Sequence, residues 1–375
     1  MIPVCAKYSA DGAVQRECSV LKDPSAEMTL THASSCPAWV LANDGEKGYY
    51  RVLYRGDLLD RVLAERGSRL SVAERVGVLG DVSALVNSGA LAPAKALALV
   101  QPFSQDPDWR VVSETMSVTG MLRSAIVPDH LRPNTARFLR RMYGHRARQL
   151  GWSPNPGESD DTRTLRKQLV GLVAIAGEDE ELIAEAQRLA LRWLDDHKAV
   201  GPEMTGTVMN VAAAHGDQAL FDRIRSAARE AQDHWERQTL IDAMASFRAP
   251  ALVKQRLGLL LTDEFDAREA FFAFLFPAPP EARRAPFEFV RQNLDALLKK
   301  LPREVGGDFA AGLPRVGGGF CDAPERDDLE AFFKPRVDQY VGGPRNLAQT
   351  LERIDLCIAR KQVLGSSLAE FLKNY

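Results

Sequence analysis

Histidines, cysteines and closely spaced acidic residues are the groups in this 375-residue sequence that could bind a metal ion or act as nucleophiles. A helical zinc site of the His-Glu-x-x-His type needs two histidines one helical turn apart, and the intervening Glu can act as general base toward a metal-bound water. No two of the six histidines have that spacing, and none is followed by Glu in the required register; they are His32, His130, His145, His197, His215 and His234. We therefore expect no catalytic, metal or cofactor site in this chain.

The five cysteines are odd in number and widely spaced, which argues against a disulfide framework. We predict reduced, mostly buried thiols. A pair among Cys5, Cys18 and Cys36 stays open, because all three lie in the same N-terminal region. Cys321 and Cys357 have no His placed by the sequence as a base, so structural thiols are favoured over nucleophiles.

Three other stretches could bind a ligand, but each has a simpler structural explanation. Gly317–Gly319 lacks the Gly-Lys-Ser/Thr of a phosphate-binding loop, so a flexible connection is favoured. Asp160–Asp161 and Glu178–Glu181 could bind a cation, yet acidic residues are common at helix starts, where the helix dipole favours them. Arg140–Arg148 is a basic helix face. A solvated face is favoured over a nucleic-acid site, because stacking aromatic residues are absent apart from Tyr143.

The composition is that of an ordinary soluble protein, with 45% hydrophobic and 26% charged residues. A net charge of −2 gives no reason to expect a nucleic acid or a membrane surface as partner. No apolar run approaches the ~20 residues of a membrane span, and the N-terminus lacks the features of a signal peptide. The sequence predicts a soluble chain and slightly favours the cytoplasm, although composition does not separate cytoplasm from periplasm.

The elements that would position these residues change character near residue 55. We predict strands over 3–8, 14–21, 28–31 and 48–54, the last following turn-forming residues and rich in aromatic and β-branched side chains. From Asp57 the chain is a succession of helices. The second starts at a capping box, Ser71-Val72-Ala73-Glu74. The last is predicted over 345–363, with a short separate helix over 368–372.

Many helices of 10–20 residues with short connections are typical of stacked helix pairs, as in HEAT or armadillo arrays. No fixed-period repeat is present, so a regular solenoid is not supported. The predicted fold class is therefore mainly α: an irregular α-superhelix of HEAT/armadillo-like helix pairs, preceded by a small partial β-sandwich. We predict two domains, the β module over 1–55 and the helical domain over 56–375.

One long motif resembles a known enzyme family. It reads Cys36-Pro37-x-Trp39-Val40-Leu41-x-Asn43-x-Gly45-x-x-Gly48-Tyr49-Tyr50-Arg51-Val52-x-Tyr54. This pattern is similar to a hallmark of the M1 (gluzincin) zinc aminopeptidases, where it closes a β-sandwich third domain and leads into a C-terminal helical domain.

Further segments follow in the order of that family and cover nearly the whole chain. They are Gly151-Trp152-x-Pro154-x-Pro156-Gly157-Glu158-Ser159-Asp160-Asp161, Gly319-Phe320-Cys321-Asp322 and Leu351-Glu352-Arg353-Ile354. The chain thus resembles the C-terminal region of an M1 peptidase with the larger, aminopeptidase-N-like helical domain.

The resemblance implies a non-catalytic part of an enzyme that removes N-terminal residues from peptides with one zinc ion. The zinc ligands and the Gly-x-Met-Glu-Asn strand of the family are absent here, so no catalytic residue is carried over. As the family implies, the helical domain would cover the active site and shape the chamber that admits peptides. The expected partners are the N-terminal and catalytic domains of the same polypeptide, and peptide substrates.

Arg353 is the one substrate-binding candidate. In the family, cationic side chains on the concave helical surface can meet the C-terminal carboxylate of a peptide, which suits arginine geometry. The alternative is an arginine paired with a carboxylate on a neighbouring helix. A rival reading of the whole chain is a free-standing helical interaction scaffold derived from such a peptidase.

Overall fold

The computed structural model describes residues 1–123, 125–275, 278–304 and 307–375. It is mainly helical, with a small antiparallel sheet at the N-terminus, which confirms the predicted fold class at this level. The chain forms two compact units. Unit 1 is Met1–Arg123 with Ser366–Phe371, and unit 2 is the described part of 125–365 with Leu372–Tyr375. The division predicted at residue 55 marks the change from strands to helices, and as a domain boundary it stays a prediction.

The sheet of unit 1 has three antiparallel strands in the order β2-β1-β3: β1 Ile2–Ala10, β2 Ala13–Leu21 and β3 Val40–Leu41. Strands β1 and β2 form a hairpin whose turn, Asp11-Gly12, has φ angles of 49° and 80°. Glycine and aspartate tolerate such left-handed values, so this turn can be two residues long. The two strands predicted over 3–8 and 14–21 are therefore confirmed.

The strands predicted over 28–31 and 48–54 are wrong, because neither segment pairs with the sheet. In the second segment, side chains form hydrogen bonds with backbone N–H and carbonyl groups that a strand would use for pairing. The Asn43 amide group bonds both the N–H and the carbonyl of Gly48, at 2.9 and 3.0 Å. The Val52 N–H donates to Asp81 Oδ2 at 3.3 Å. The Tyr54 side chain bonds outside the segment, where its Oη accepts from the Ala42 N–H at 3.2 Å.

The α-helices that lie wholly within unit 1 are α1 Leu58–Gly67, α2 Val72–Asn87, α3 Pro93–Val100 and α4 Trp109–Thr119. The capping box at the start of α2 is confirmed, since Ser71 Oγ accepts from Glu74 N and the Glu74 carboxylate accepts from Ser71 N.

Glu74 is the centre of a buried polar cluster that joins the sheet to α2. Its Oε2 lies 2.5 Å from Lys7 Nζ of β1, and its Oε1 accepts from the Gly45 N–H at 3.0 Å. Both side chains of the ion pair are almost fully buried. Burial acts to raise the pKa of Glu74, but the hydrogen bonds from Lys7, Ser71 and Gly45 outweigh it and lower that pKa below its ordinary value.

Unit 2 contains the remaining helices, of which α16 also contributes to unit 1. They are α5 Arg132–Leu139, α6 His145–Leu150, α7 Asp160–Ile175, α8 Glu180–Asp195, α9 Pro202–Ala214, α10 Gln218–Glu230, α11 His234–Ser246, α12 Pro250–Leu259, α13 Ala267–Leu275, α14 Ala285–Lys300, α15 Ala323–Phe333 and α16 Gly343–Leu372. Arg140–Gly144 forms a π-helical turn between α5 and α6, and Phe309–Gly317 is a 3₁₀ helix. Two-residue strands β4 Arg303–Glu304 and β5 Gly307–Asp308 pair with each other.

Helices of unit 2 pack mainly on helices one or two places away along the chain. Helix α9 packs on α7, α8 and α11, helix α11 packs on α10 and α13, and α12 packs on α14. In α8 the inward residues recur at helical spacing: Leu182, Ala186, Leu189, Ala190 and Trp193 are all buried. This sequential packing is what stacked helix pairs require.

The loop before α7 is held by a buried arginine. Arg166 is 1% exposed, pairs with Glu158, and donates from Nη1 to the Gly151 carbonyl at 3.0 Å. Trp152 Nε1 donates to the Leu182 carbonyl of α8 at 3.1 Å. These bonds join both ends of the proline-rich loop to the helices that follow it.

The predictions of reduced thiols and of a separate last helix are both wrong, whereas the pair left open among Cys5, Cys18 and Cys36 is present as Cys5–Cys18. Disulfide bonds join Cys5 to Cys18 and Cys321 to Cys357, and only Cys36 is free, on the surface. Cys5 and Cys18 lie opposite each other in the hairpin, a proximity that sequence spacing does not reveal. Helix α16 is continuous across 364–367, because Leu364 and Leu368 are buried one turn apart and carry its apolar face onward.

We predict that Glu74→Gln destabilises the protein by about 3–5 kcal/mol, because it leaves the Lys7 ammonium buried without a charged partner. Denaturant unfolding at pH 7 measures the change. Glu27→Gln, which neutralises an exposed carboxylate on the surface, is the matched control. A loss below 1 kcal/mol for Glu74→Gln would show that the buried pair does not hold the sheet to α2.

Candidate functional site

Arg353 lies on α16 in unit 2, and its side chain is exposed. Its Nη1 would lie 3.2 Å from a Cβ atom on Gly318, so the guanidinium rests against the backbone of the glycine segment 317–319. Within the described ranges Arg353 has no ion pair or hydrogen bond. The alternative of a carboxylate partner on a neighbouring helix is therefore not found among these residues.

Arg315 is a second cation on the same part of the surface, and the sequence reading missed it. Its Nη2 and Nε donate to Asn346 Oδ1 at 2.7 and 3.1 Å, and its carbonyl accepts from the Gly318 N–H at 2.8 Å. Asn346 and Arg353 are seven residues apart on α16, which places them on one face about 10 Å apart along the axis. We call Arg315, Asn346, Arg353 and Gly318 the arginine surface.

The arginine surface differs from its surroundings in charge. On α15, Arg326 pairs with Asp355 at 2.7 Å and Glu330 at 2.6 Å, and Arg284 pairs with Asp328 at 2.6 Å. Arg315, like Arg353, has no carboxylate partner among the residues that the structure describes. Two guanidinium groups without a neutralising anion suit a carboxylate ligand, because arginine binds carboxylates through two parallel hydrogen bonds.

Close packing fixes the glycine segment under Arg353. A Cβ on Gly317 would lie 2.5 Å from Leu329 Cδ2, so a larger residue there would have to displace the Leu329 side chain of α15. The Cys321–Cys357 disulfide attaches the following residues to α16 one turn beyond Arg353. The flexible connection predicted for Gly317–Gly319 is thus a packed segment at Gly317.

Two stretches that the sequence reading treated separately are in contact. Arg140 donates to the carbonyls of Gly177 and Glu178, and Arg148 pairs with Asp179, whose side chain also caps α8. The basic face and one acidic helix start therefore neutralise each other in part. Asp160 and Asp161 occupy the exposed first turn of α7.

In unit 1 several carboxylates surround the glycines of α2. The Glu46 carboxyl carbon would lie 1.9 Å from a Cβ on Gly77, and Asn43 Nδ2 donates to Glu46 Oε2 at 3.1 Å. Burial and the charges of Asp81 and Glu74 raise the pKa of Glu46 to about 7, against weaker opposing effects of Arg51 and Asn43. Arg51 itself pairs with Asp81 at 3.3 Å.

Among the residues described, no three or more His, Cys, Asp or Glu side chains come close enough together to hold a metal ion. No helix in the described part is both long and apolar enough to cross a membrane.

These features define a class of protein: a mainly helical chain, led by a small antiparallel sheet, with an unneutralised arginine surface. Residues 39–356 match the family described as ERAP1-like C-terminal domain, and the chain belongs to this family. The resemblance carried by the motif over 36–54 is thereby confirmed.

The curated relatives are aminopeptidases. The chain is 24% identical over 326 residues to aminopeptidase 2 of Candida albicans, covering 83% of this chain and 34% of that protein. It is 23% identical over 325 residues to aminopeptidase M1-C of rice, Oryza sativa subsp. japonica, covering 84% and 36%. It is 23% identical over 332 residues to aminopeptidase M1 of Arabidopsis thaliana, covering 85% of this chain and 36% of that protein. The chain thus spans about a third of the length of these relatives.

We predict that Glu46 makes stability fall as pH rises from about 4.5 to about 7. Its pKa is higher in the folded than in the unfolded protein, so the folded state retains the proton across this window. Above about pH 8 Glu46 is ionised in the folded protein as well, so the full destabilisation by its partly buried charge is present. Since the group is partly exposed, solvent screening limits this destabilisation to ~1–2 kcal/mol.

Glu46→Gln should therefore be more stable than the original protein at pH 8 by that amount, and equally stable near pH 4. Denaturant unfolding across pH 4–8 gives both values. Asp23→Asn, at an exposed residue, is the control and should leave the pH profile unchanged. Equal profiles for Glu46→Gln and the original protein would contradict the prediction.

Proposed function

We propose that this chain is the non-catalytic C-terminal part of a zinc-dependent M1 aminopeptidase. The observation that carries the proposal is the match of residues 39–356 to the C-terminal domain family, within relatives named as aminopeptidases. In this proposal the helices form a HEAT-like superhelix that covers the active site and shapes the chamber through which peptides enter. The zinc ion and the groups that activate water would belong to the rest of the polypeptide.

The arginine surface is the part of this chain that we propose contacts substrate. Arg353 and Arg315 are exposed and unneutralised, whereas arginines nearby on α15 and before α14 are paired with carboxylates. A peptide held by its N-terminus at a catalytic centre presents its C-terminal carboxylate at a distance set by its length. The arginine surface would favour peptides whose carboxylate reaches it, and would contribute nothing to cleavage of short substrates.

The proposed partners are therefore the N-terminal and catalytic domains of the same polypeptide, with peptides as substrates. An immunoblot of source cells with an antibody to this chain tests this. A single band much larger than this chain supports the aminopeptidase part. A band at the size of this chain would contradict it and would favour the alternative, a free-standing interaction scaffold.

We predict that Arg353→Ala in the intact aminopeptidase raises KM about tenfold for peptides long enough to reach it. The loss of one charge-assisted hydrogen-bond pair, about 1.4 kcal/mol, corresponds to that factor. Turnover of an aminoacyl-p-nitroanilide should not change. Initial rates on a series of peptides of increasing length measure the effect.

Two controls make the test specific to the carboxylate. Arg345→Ala removes an exposed arginine of the same helix that lies outside the arginine surface, and should leave KM unchanged. A C-terminally amidated peptide should bind the original enzyme as weakly as it binds Arg353→Ala. Equal effects of Arg353→Ala on long and dipeptide-like substrates would refute a role in peptide binding.

A further inference from the structure

The end of α1 has a backbone conformation that glycine adopts far more readily than other residues. Ala64 leaves the helix with a ψ of 147°, and Glu65, Arg66 and Gly67 then have φ angles of 55°, 57° and 59°. Left-handed values are uncommon for residues with long side chains, and they persist where surrounding structure or a ligand site requires them. Two of these three residues carry such side chains, so the turn is strained.

Protein contacts account for two of the three residues. Glu65 pairs with Arg69 at 2.9 Å and accepts from Ser68 Oγ at 3.3 Å. Gly67 has no side chain to strain at its φ of 59°, and a Cβ there would meet Arg75 Cγ and Cδ at 3.3 Å. Arg66 differs, because in the described part of the chain its side chain has no hydrogen bond or ion pair. Nothing within these residues explains why an arginine occupies the strained position.

Arg66 lies at the rim of a pocket of about 500 Å³ in unit 1. Its accessible apolar lining is Ala98, Leu99 and Pro102, since Leu63 and Phe103, which also line it, are almost fully buried. Asp60, Glu65 and Lys95 line the pocket together with Arg66, so four of its nine lining residues are charged. A cavity of this size that combines apolar side chains with a few charged groups has the general character of a small-molecule site.

The rim carries two carboxylates, Asp60 and Glu65, and two cations, Arg66 and Lys95. Lys95 Nζ is paired with Asp60 at 3.0 Å, and Glu65 is paired with Arg69. Arg66 is then the cation of this rim that has no anionic partner in the described part of the chain. A guanidinium group binds a carboxylate through two parallel hydrogen bonds, and the apolar lining favours a hydrocarbon.

We propose that this pocket binds a small amphipathic carboxylate. Its hydrocarbon part contacts Ala98, Leu99 and Pro102, and its carboxylate pairs with Arg66. The strained turn serves to hold the Arg66 guanidinium over the pocket. This site is independent of the arginine surface, which lies in unit 2.

Decanoate is a suitable probe, used with the full chain well below the concentration at which it forms micelles. Calorimetric titration should show one saturable site. Acetate, which lacks the chain, and decyltrimethylammonium, which has the opposite charge, should bind at least tenfold more weakly. Arg66→Gly should lose at least tenfold in affinity for decanoate. The same variant should melt at a higher temperature, because glycine relieves the left-handed strain.

Two variants separate charge from backbone effects. Glu65→Gly relaxes the same turn but keeps Arg66, so it should bind decanoate at least as tightly as the original protein. Arg61→Ala removes an arginine of α1 that pairs with Asp57 and does not line the pocket, so affinity should not change. The proposal is overturned if decanoate does not bind, if decyltrimethylammonium binds as tightly, or if Arg66→Gly retains affinity. A lower melting temperature for Arg66→Gly would equally overturn it.

Discussion

A single buried carboxylate, Glu74, connects the parts of unit 1. It accepts hydrogen bonds from a strand lysine, from its own helix cap and from the turn that follows the sheet. A buried charge is tolerated only with such a full set of partners. The position of α2 relative to the sheet is therefore tied to the positions of Lys7 and Gly45. The other carboxylates near Gly77 and Gly80 must fit into this arrangement, and their pKa values follow from it.

The sequence predicts much of this fold, because local signals agree with tertiary structure in most places. The capping box at Ser71, the apolar spacing of α8 and the β1–β2 hairpin all depend on neighbouring residues, and all are correct. The strand expected over 48–54 fails for a non-local reason. Its aromatic and β-branched residues suit a strand, but Asn43 and Asp81 take its backbone groups. The partner of a backbone group cannot be read from residue types alone.

In the candidate site too, one residue could be predicted from the sequence and another is found only from the fold. Arg353 could be proposed because it lies in a motif of the resembled family, while Arg315 precedes the glycine segment without a distinctive pattern. Its relevance comes from a shared contact with Gly318 and from the absence of a carboxylate partner in the described residues. The sequence only leaves the Cys5–Cys18 disulfide open and misses the Cys321–Cys357 disulfide, because the paired cysteines are 13 and 36 positions apart in the sequence. Proximity in space, which decides all three cases, is a product of the fold.

The π-helical turn at Arg140–Gly144 restricts how the length of this chain can vary over evolution. Such a turn holds one residue more than the corresponding α-helical turn. Losing that residue would give a continuous α-helix and rotate the segments on either side by about 100° relative to each other. Arg140 and Arg148 could then no longer both reach the residues that join α7 to α8. Insertions and deletions in related chains should therefore avoid this helix and accumulate in the loops between helices.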